Sequence, residues 1–118
     1  DSIVFTGFIP YEQLPRYLKV GDVAVVPSTW EEPFGLTCIE AMAAELPLIT
    51  TYSGGIPEIC ENHSVILEKR EIAYRLNQSI LSLYHNNEER KRMHIKSKQR
   101  SKLFSRQTYS KLFFKSIQ

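Results

Sequence analysis

Glu31-Glu32-Pro33-Phe34-Gly35-Leu36-Thr37-Cys38-Ile39-Glu40-Ala41-Met42 is the stretch whose reading decides the fold. The apolar run Val23-Ala24-Val25-Val26 leads into it, bounded by Gly21-Asp22 and Pro27. Four apolar residues in a row read as a strand covered on both faces, as in a parallel sheet. Pro33 and Gly35 punctuate a loop. Leu36, Ile39, Met42 and Ala43 then place apolar groups on one side of a helix over 35–44. The stretch is strand, loop and helix N-terminus, with one carboxylate before the turn and another inside the helix.

Similar units flank it. Ile3-Val4-Phe5 predicts a buried strand and Thr6-Gly7-Phe8-Ile9-Pro10 a loop at its carboxyl end. Leu14, Tyr17 and Leu18 predict a helix over 11–20, with Pro15 tolerable in its first turn. Downstream, 47–51 predicts a third strand and Tyr52-Ser53-Gly54-Gly55 a loop. A short helix over 56–60 and a strand over 64–67 follow. From Glu71 the sequence is helical, with Ile72, Leu76, Ile80, Leu83 and Tyr84 as one stripe, broken at Asn86-Asn87. A charged helix over 88–101 has Met93 and Ile95 as its apolar anchors. Ser105 predicts the cap of a last helix carrying Tyr109, Leu112, Phe113 and Ile117. Repeated strand–loop–helix units predict an α/β fold with a parallel sheet, over 1–85, and basic C-terminal helices of the same domain over 86–118.

The 118 residues suffice for one small domain with a core. Hydrophobic (42%) and charged (24%) fractions are ordinary for a globular protein, and no apolar run reaches the ~20 residues of a membrane span. The chain opens on Asp1-Ser2 and runs straight into a strand-like segment, which predicts a piece of a longer protein. The net charge of +2 conceals an asymmetry. Residues 1–89 hold five basic against thirteen acidic residues, a net of −8, and residues 90–118 hold ten basic and no acidic residues, a net of +10. Such an end suits an anionic partner, whether phosphate, acidic lipid headgroups, nucleic acid or an acidic face of the same protein, or is a solvated helix face. No stacking platform of aromatic and basic residues accompanies it, so no nucleic-acid partner is expected. Cys38 and Cys60 lack metal or redox spacing and read as buried free thiols, which suits a cytoplasmic setting. His63, His85 and His94 share no ligand spacing, and no metal is expected.

In an open parallel sheet, ligands bind beyond the carboxyl ends of the strands. Three loops leave such ends: Thr6-Gly7-Phe8, residues 28–35 and residues 51–55. The middle one runs into a helix N-terminus, whose unpaired N–H groups and partial positive charge attract phosphate. Gly35 leaves room for close approach. Glu40, one turn after Leu36, can accept hydrogen bonds from a ribose cis-diol. Glu32 would reach the other way, toward whatever the diphosphate carries. Taken singly, Glu32 also reads as an acidic residue favoured by the helix dipole, Glu40 as an exposed helix glutamate, and Gly54-Gly55 as a turn and cap.

Together, Glu32-Pro33-Phe34-Gly35-Leu36-x-x-x-Glu40-Ala41-Met42-Ala43 and Gly54-Gly55-Ile56-Pro57-Glu58-Ile59 resemble the nucleotide-sugar-binding core of retaining glycosyltransferases of family 4. These are the group 1 glycosyl transferases with the GT-B fold, and their Glu-x7-Glu motif is matched by Glu32 and Glu40. The resemblance implies a Rossmann-like, partial C-terminal GT-B domain. It implies that Glu32 lies at the donor sugar as the catalytic residue. The backbones of Phe34, Gly35 and Leu36 would hold sugar and diphosphate, and Glu40 the ribose hydroxyls. Gly7 and Phe8 would lie near the base, and Gly54 and Gly55 would form a further donor loop. It implies hexose transfer from a nucleotide diphosphate sugar, UDP by preference, to a glycan or lipid-linked acceptor in polysaccharide biosynthesis. No cofactor is expected. The implied partners are the N-terminal domain of the same protein and, peripherally, the inner membrane face. A nucleotide-sugar-binding module, or a GT-B epimerase or phosphorylase relative without transferase activity, stays open. One departure is local: the family has Gly where Glu45 stands, so Glu45 must strain or end its helix differently.

Overall fold

The computed structural model describes residues 3–31 and 33–104. Three parallel strands, β1 (Ala24–Val26), β2 (Leu48–Thr51) and β3 (Val65–Leu67), form one sheet in the order β1-β2-β3. Ala24 pairs with Leu48 and Ile49 with Val65. Helix α2 (Leu36–Ala43) connects β1 to β2, and α3 (Ile56–Cys60) connects β2 to β3. Before β1 lies α1 (Leu14–Leu18), and after β3 come α4 (Ile72–Tyr84) and α5 (Asn87–Ser101). The expected fold class, helices flanking a parallel sheet, is the one observed.

β2 is buried at all four positions. Because side chains alternate across a strand, its residues serve two cores. Leu48 joins Ala24, Cys38, Ala41, Met42, Leu46, Ile56 and Cys60 on the α2–α3 side. Ile49 points the other way, to Leu83 of α4 and Met93 of α5. Thr50 and Thr51 are buried polar groups at the carboxyl end, and both hydroxyls find acceptors.

Three expectations need correction. Ile3-Val4-Phe5 forms no strand; it lies in irregular chain, and all three side chains are exposed. Apolar character alone does not make a strand, which needs a ladder neighbour, and the sheet of described residues ends at β1. The helix expected over 11–20 splits into a 3-10 turn (Tyr11–Gln13) and the five-residue α1. Pro15 has no N–H to donate to the Tyr11 carbonyl, and the Leu14 N–H takes that acceptor in the tighter geometry. The helix faces also rotate. In α2 the buried residues are Cys38, Ile39, Ala41 and Met42, whereas Leu36 and Ala43 are exposed. In α4, Ile80 and Tyr84 face outward, and in α5 so does Ile95. The expected helix beginning at Ser105 lies outside the described residues.

The buried face of α5 consists of Met93 and Ser97, flanked by Arg90 and Arg100 at helical spacing. Ser97 Oγ donates to the Leu46 carbonyl at 2.7 Å. Arg90 donates to the Leu83 and Tyr84 carbonyls at the end of α4, and the Asn86 side chain caps α5 by accepting from the Glu89 N–H. Arg100 donates to the Ile59 and Glu58 carbonyls at 2.7 and 2.9 Å, satisfying the end of α3. Lys96 donates to the Asn62 carbonyl, and Lys91 and Arg92 pair with Glu88 and Glu89. Of the alternatives for the basic end, its described part realises contact with the same protein.

Glu45 resolves its departure by accepting a left-handed backbone, φ 66°. Its N–H bonds the Met42 carbonyl and the Leu46 N–H bonds the Ala41 carbonyl, the paired closure of a Schellman motif. A glutamate there has a use: its carboxylate meets His94 Nε2 at 3.4 Å and Lys98 Nζ at 3.7 Å. Glu45→Gly removes strain of about 1 kcal/mol while giving up partly exposed pairs of about 0–1 kcal/mol. Glu45→Ala keeps the strain and loses the pairs. In urea unfolding, Glu45→Gly should therefore match or exceed the parent, and Glu45→Ala should fall about 1 kcal/mol below Glu45→Gly. Equal midpoints for the two variants would refute the strain.

Gly35 is set by two constraints. It enters α2 at φ 65°, and a Cβ there would lie 3.1 Å from Ile59 Cδ1 and 3.4 Å from Ile56 Cγ1. Gly35→Ala should cost about 1–3 kcal/mol. Adding Ile59→Val removes the obstructing methyl, so the double variant should be more stable than the sum of the single effects by roughly 0.5–1 kcal/mol. Strict additivity in urea unfolding would contradict the packing.

Candidate functional site

The site lies at the carboxyl end of the sheet, where residues 27–35 connect β1 to α2 and residues 52–55 connect β2 to α3. The two connections are joined by buried hydroxyls. The Ser28 carbonyl lies within hydrogen-bonding distance of Thr51 Oγ1 and, at 2.8 Å, of Ser53 Oγ, while the two hydroxyls are 2.8 Å apart. Each hydroxyl has one proton, so two of these three contacts are hydrogen bonds at any instant. Thr50 Oγ1 adds a bond of 2.9 Å to the Val26 carbonyl. The loop base is therefore fixed in a dry environment, where breaking such bonds leaves a polar group unsatisfied.

Farther along, Glu31 accepts from the backbone N–H of Gly54 and from Lys69 Nζ, the latter at 2.9 Å. The Lys69 hydrogen bond, the Gly54 N–H and the Lys69 charge, in that order, hold its carboxyl below the ordinary glutamate range. Lys69 follows β3, so Glu31 bridges all three connections at this end of the sheet. Gly54 takes a left-handed backbone, φ 50°, and Gly55 stands at the start of α3.

At the start of α2 the N–H groups of Leu36 and Thr37 stand at the helix N-terminus, and the Ile39 N–H bonds the Gly35 carbonyl. Among the described residues no side chain caps this end, and its first turn carries no acidic residue. Within its first turn, α2 therefore places no carboxylate at its positive dipole end. Leu36 is exposed and Phe34 half-buried.

Glu40, in the second turn of α2, is half-buried, and its carboxylate has no hydrogen bond or ion pair among the described residues. Desolvation raises its pKa. Its side chain lines a cavity of about 210 Å³ with Tyr11, Leu14 and Lys19, and a second of about 290 Å³ with Thr37 and Val26. A desolvated carboxylate beside open volume is suited to receive donors from a ligand.

Not all expected site residues meet. Gly35 joins the two connections, with Leu36 and Glu40 on α2 and Gly54 and Gly55 opposite through Ile56 and Ile59. Gly7, left-handed at φ 71°, has nothing near its α-carbon, and Phe8 is almost fully exposed; neither is drawn to the other two loops. Glu32 lies outside the described residues. The sequence reading assigns no site role to Glu31, Lys69, Ser28 or Thr51, and places Ser53 only within the Gly54-Gly55 loop. For the hydroxyls a signal existed, since two threonines ending a buried strand need acceptors. For Glu31 and Lys69, 38 positions apart, none did.

Among the described residues no helix is long and apolar enough to cross a membrane. The family model of glycosyl transferases group 1 matches residues 1–100. The chain is 35% identical over 95 residues to spore coat protein SA of Bacillus subtilis, covering 79% of this chain and 25% of that one. It is 32% identical over 106 residues to an uncharacterized glycosyltransferase, MJ1178, of Methanocaldococcus jannaschii, covering 89% and 30%. It is 45% identical over 62 residues to a putative glycosyltransferase, YtcC, of B. subtilis, covering 52% and 15%. The chain thus spans between 15% and 30% of these relatives' lengths. With an α/β parallel sheet, an open helix N-terminus at its carboxyl edge and a family match over 1–100, the chain belongs to the group 1 glycosyl transferases.

Proposed function

We propose that this chain supplies the nucleotide-sugar site of a retaining glycosyltransferase of family 4. The observation that carries the reading is Glu40, a half-buried carboxylate with no partner among the described residues, one turn inside a helix N-terminus that no described side chain caps. The amides of Leu36 and Thr37 would bind the diphosphate, and Glu40 would accept from the two ribose hydroxyls. When the glycosidic bond to the diphosphate breaks, negative charge grows on the leaving oxygen, and the fixed amide dipoles stabilise it without reorganising. Glu32, read from its sequence position, stands toward the sugar and stabilises the positive anomeric centre or orients its hydroxyls. The donor is read as a UDP-hexose and the acceptor as a glycan or lipid-linked sugar. The family match and the glycosyltransferases YtcC and MJ1178 among the relatives support transfer of a sugar; the retaining outcome and the uridine base rest on the resemblance of the Glu32–Glu40 motif.

Glu40→Gln tests this reading in two directions. A carboxylate whose folded pKa is raised destabilises the fold when ionised, so the free protein gains stability as pH falls through that pKa. The glutamine variant should melt slightly higher than the parent at pH 7, and the difference should vanish at acid pH. Its affinity for UDP, measured by calorimetry, should drop about 10- to 100-fold with loss of charge-assisted bonds to the diol. Unchanged affinity with unchanged melting would remove Glu40 from the site.

A further inference from the structure

We propose that Glu31 is a positioning residue, which holds the β1–α2 connection in its ligand-ready shape by bridging the Gly54 N–H and the Lys69 ammonium. The proposal rests on the nucleotide-sugar reading above and names a residue outside its two-glutamate motif.

The geometry is that of a strap with three fixings. The base is held at Ser28 by the buried hydroxyls of Thr51 and Ser53. The far end is held at Gly35, whose bare α-carbon packs on Ile56 and Ile59. Glu31 lies between them, and its two acceptor oxygens are divided: Oε2 takes the Gly54 N–H and Oε1 takes Lys69 Nζ. One contact fixes it to the start of α3, the other to the segment after β3. The residues beyond Glu31 lead into the amides assigned to the donor, so the direction in which that backbone runs is set at this carboxylate.

Burial separates this role from a structural one. Glu31 is 73% exposed and Lys69 32%. An exposed pair adds little to global stability, because water and salt screen it. It adds local order, because two charge-assisted bonds restrict a connection that has few other side-chain anchors. Removing it should therefore move ligand affinity while leaving unfolding almost unchanged. Lysine in place of Glu31 offers no acceptor for the Gly54 N–H, so a charge swap between 31 and 69 restores the pair but not the bridge.

Glu31→Gln, Lys69→Met, their combination and the swap Glu31→Lys/Lys69→Glu would be compared with the parent chain, using UDP as the probe and amide hydrogen exchange as a second readout. Each single variant should weaken UDP about three- to fivefold, the double variant no further, and the swap should give no rescue. In 1 M NaCl the parent should fall toward the variants. Exchange at Gly54 should quicken in a further variant, Glu31→Ala, which removes both acceptor oxygens, without any ligand and with the urea midpoint almost unchanged. Parent-like UDP affinity in the single variants, while Glu40→Gln loses it, would overturn the positioning role and leave the nucleotide reading standing. If the parent itself binds no nucleotide, the nucleotide reading fails, and unchanged exchange at Gly54 in Glu31→Ala would overturn the bridge as well.

Discussion

Gly35 turns the chain into α2 at φ 65°, with its α-carbon against Ile56 and Ile59, where a methyl group would crowd both side chains. Much of the site follows from that contact. It brings the starts of α2 and α3 together at one end of the sheet. It sets the N-terminus of α2 at that end, where no described side chain caps it. A glycine that serves close approach to a ligand is here also required by backbone conformation and by packing. The two requirements agree, so one residue serves both the fold and the site.

The opposite end of the same layer depends on charge. α5 has few apolar anchors, yet it docks because arginines satisfy helix carbonyls that would otherwise lack partners: Arg90 at the end of α4, Arg100 at the end of α3. Arginine suits this work, having several donors in one plane and a positive charge that helix C-termini favour. Glu45 completes the attachment by meeting His94 and Lys98 from a left-handed position. Helix α3 is therefore held at both ends, by Gly35 packing near its start and by Arg100 at its finish. That rigidity passes to Gly54 and Gly55, which precede it.

Most of this architecture is legible in the sequence because it depends on local pattern. The apolar runs at 23–26 and 48–49, the glycine before Leu36 and the break at Asn86 each announce an element within a residue or two. What was illegible depends on partners distant in sequence. Ile3-Val4-Phe5 has strand composition but meets no ladder edge. Leu36, Ile80 and Ile95 look like core residues, and the crossing of the helices decides otherwise. The bridge from Glu31 to Lys69 is a meeting of two loops 38 residues apart, which no periodicity encodes. Glu40 stands out in the sequence by its spacing, and the structure adds its physical state, desolvated and with its carboxylate lacking a partner among the described residues.

The most direct test of the account is a titration of the isotopically labelled chain with UDP, followed amide by amide. The account predicts the largest shifts at Gly35, Leu36 and Thr37, with the Glu40 carboxyl carbon shifting over the same concentration range. Shifts confined to α5, among Lys91, Lys96 and Lys102, would mean that the nucleotide is held only by the basic end, and would contradict it.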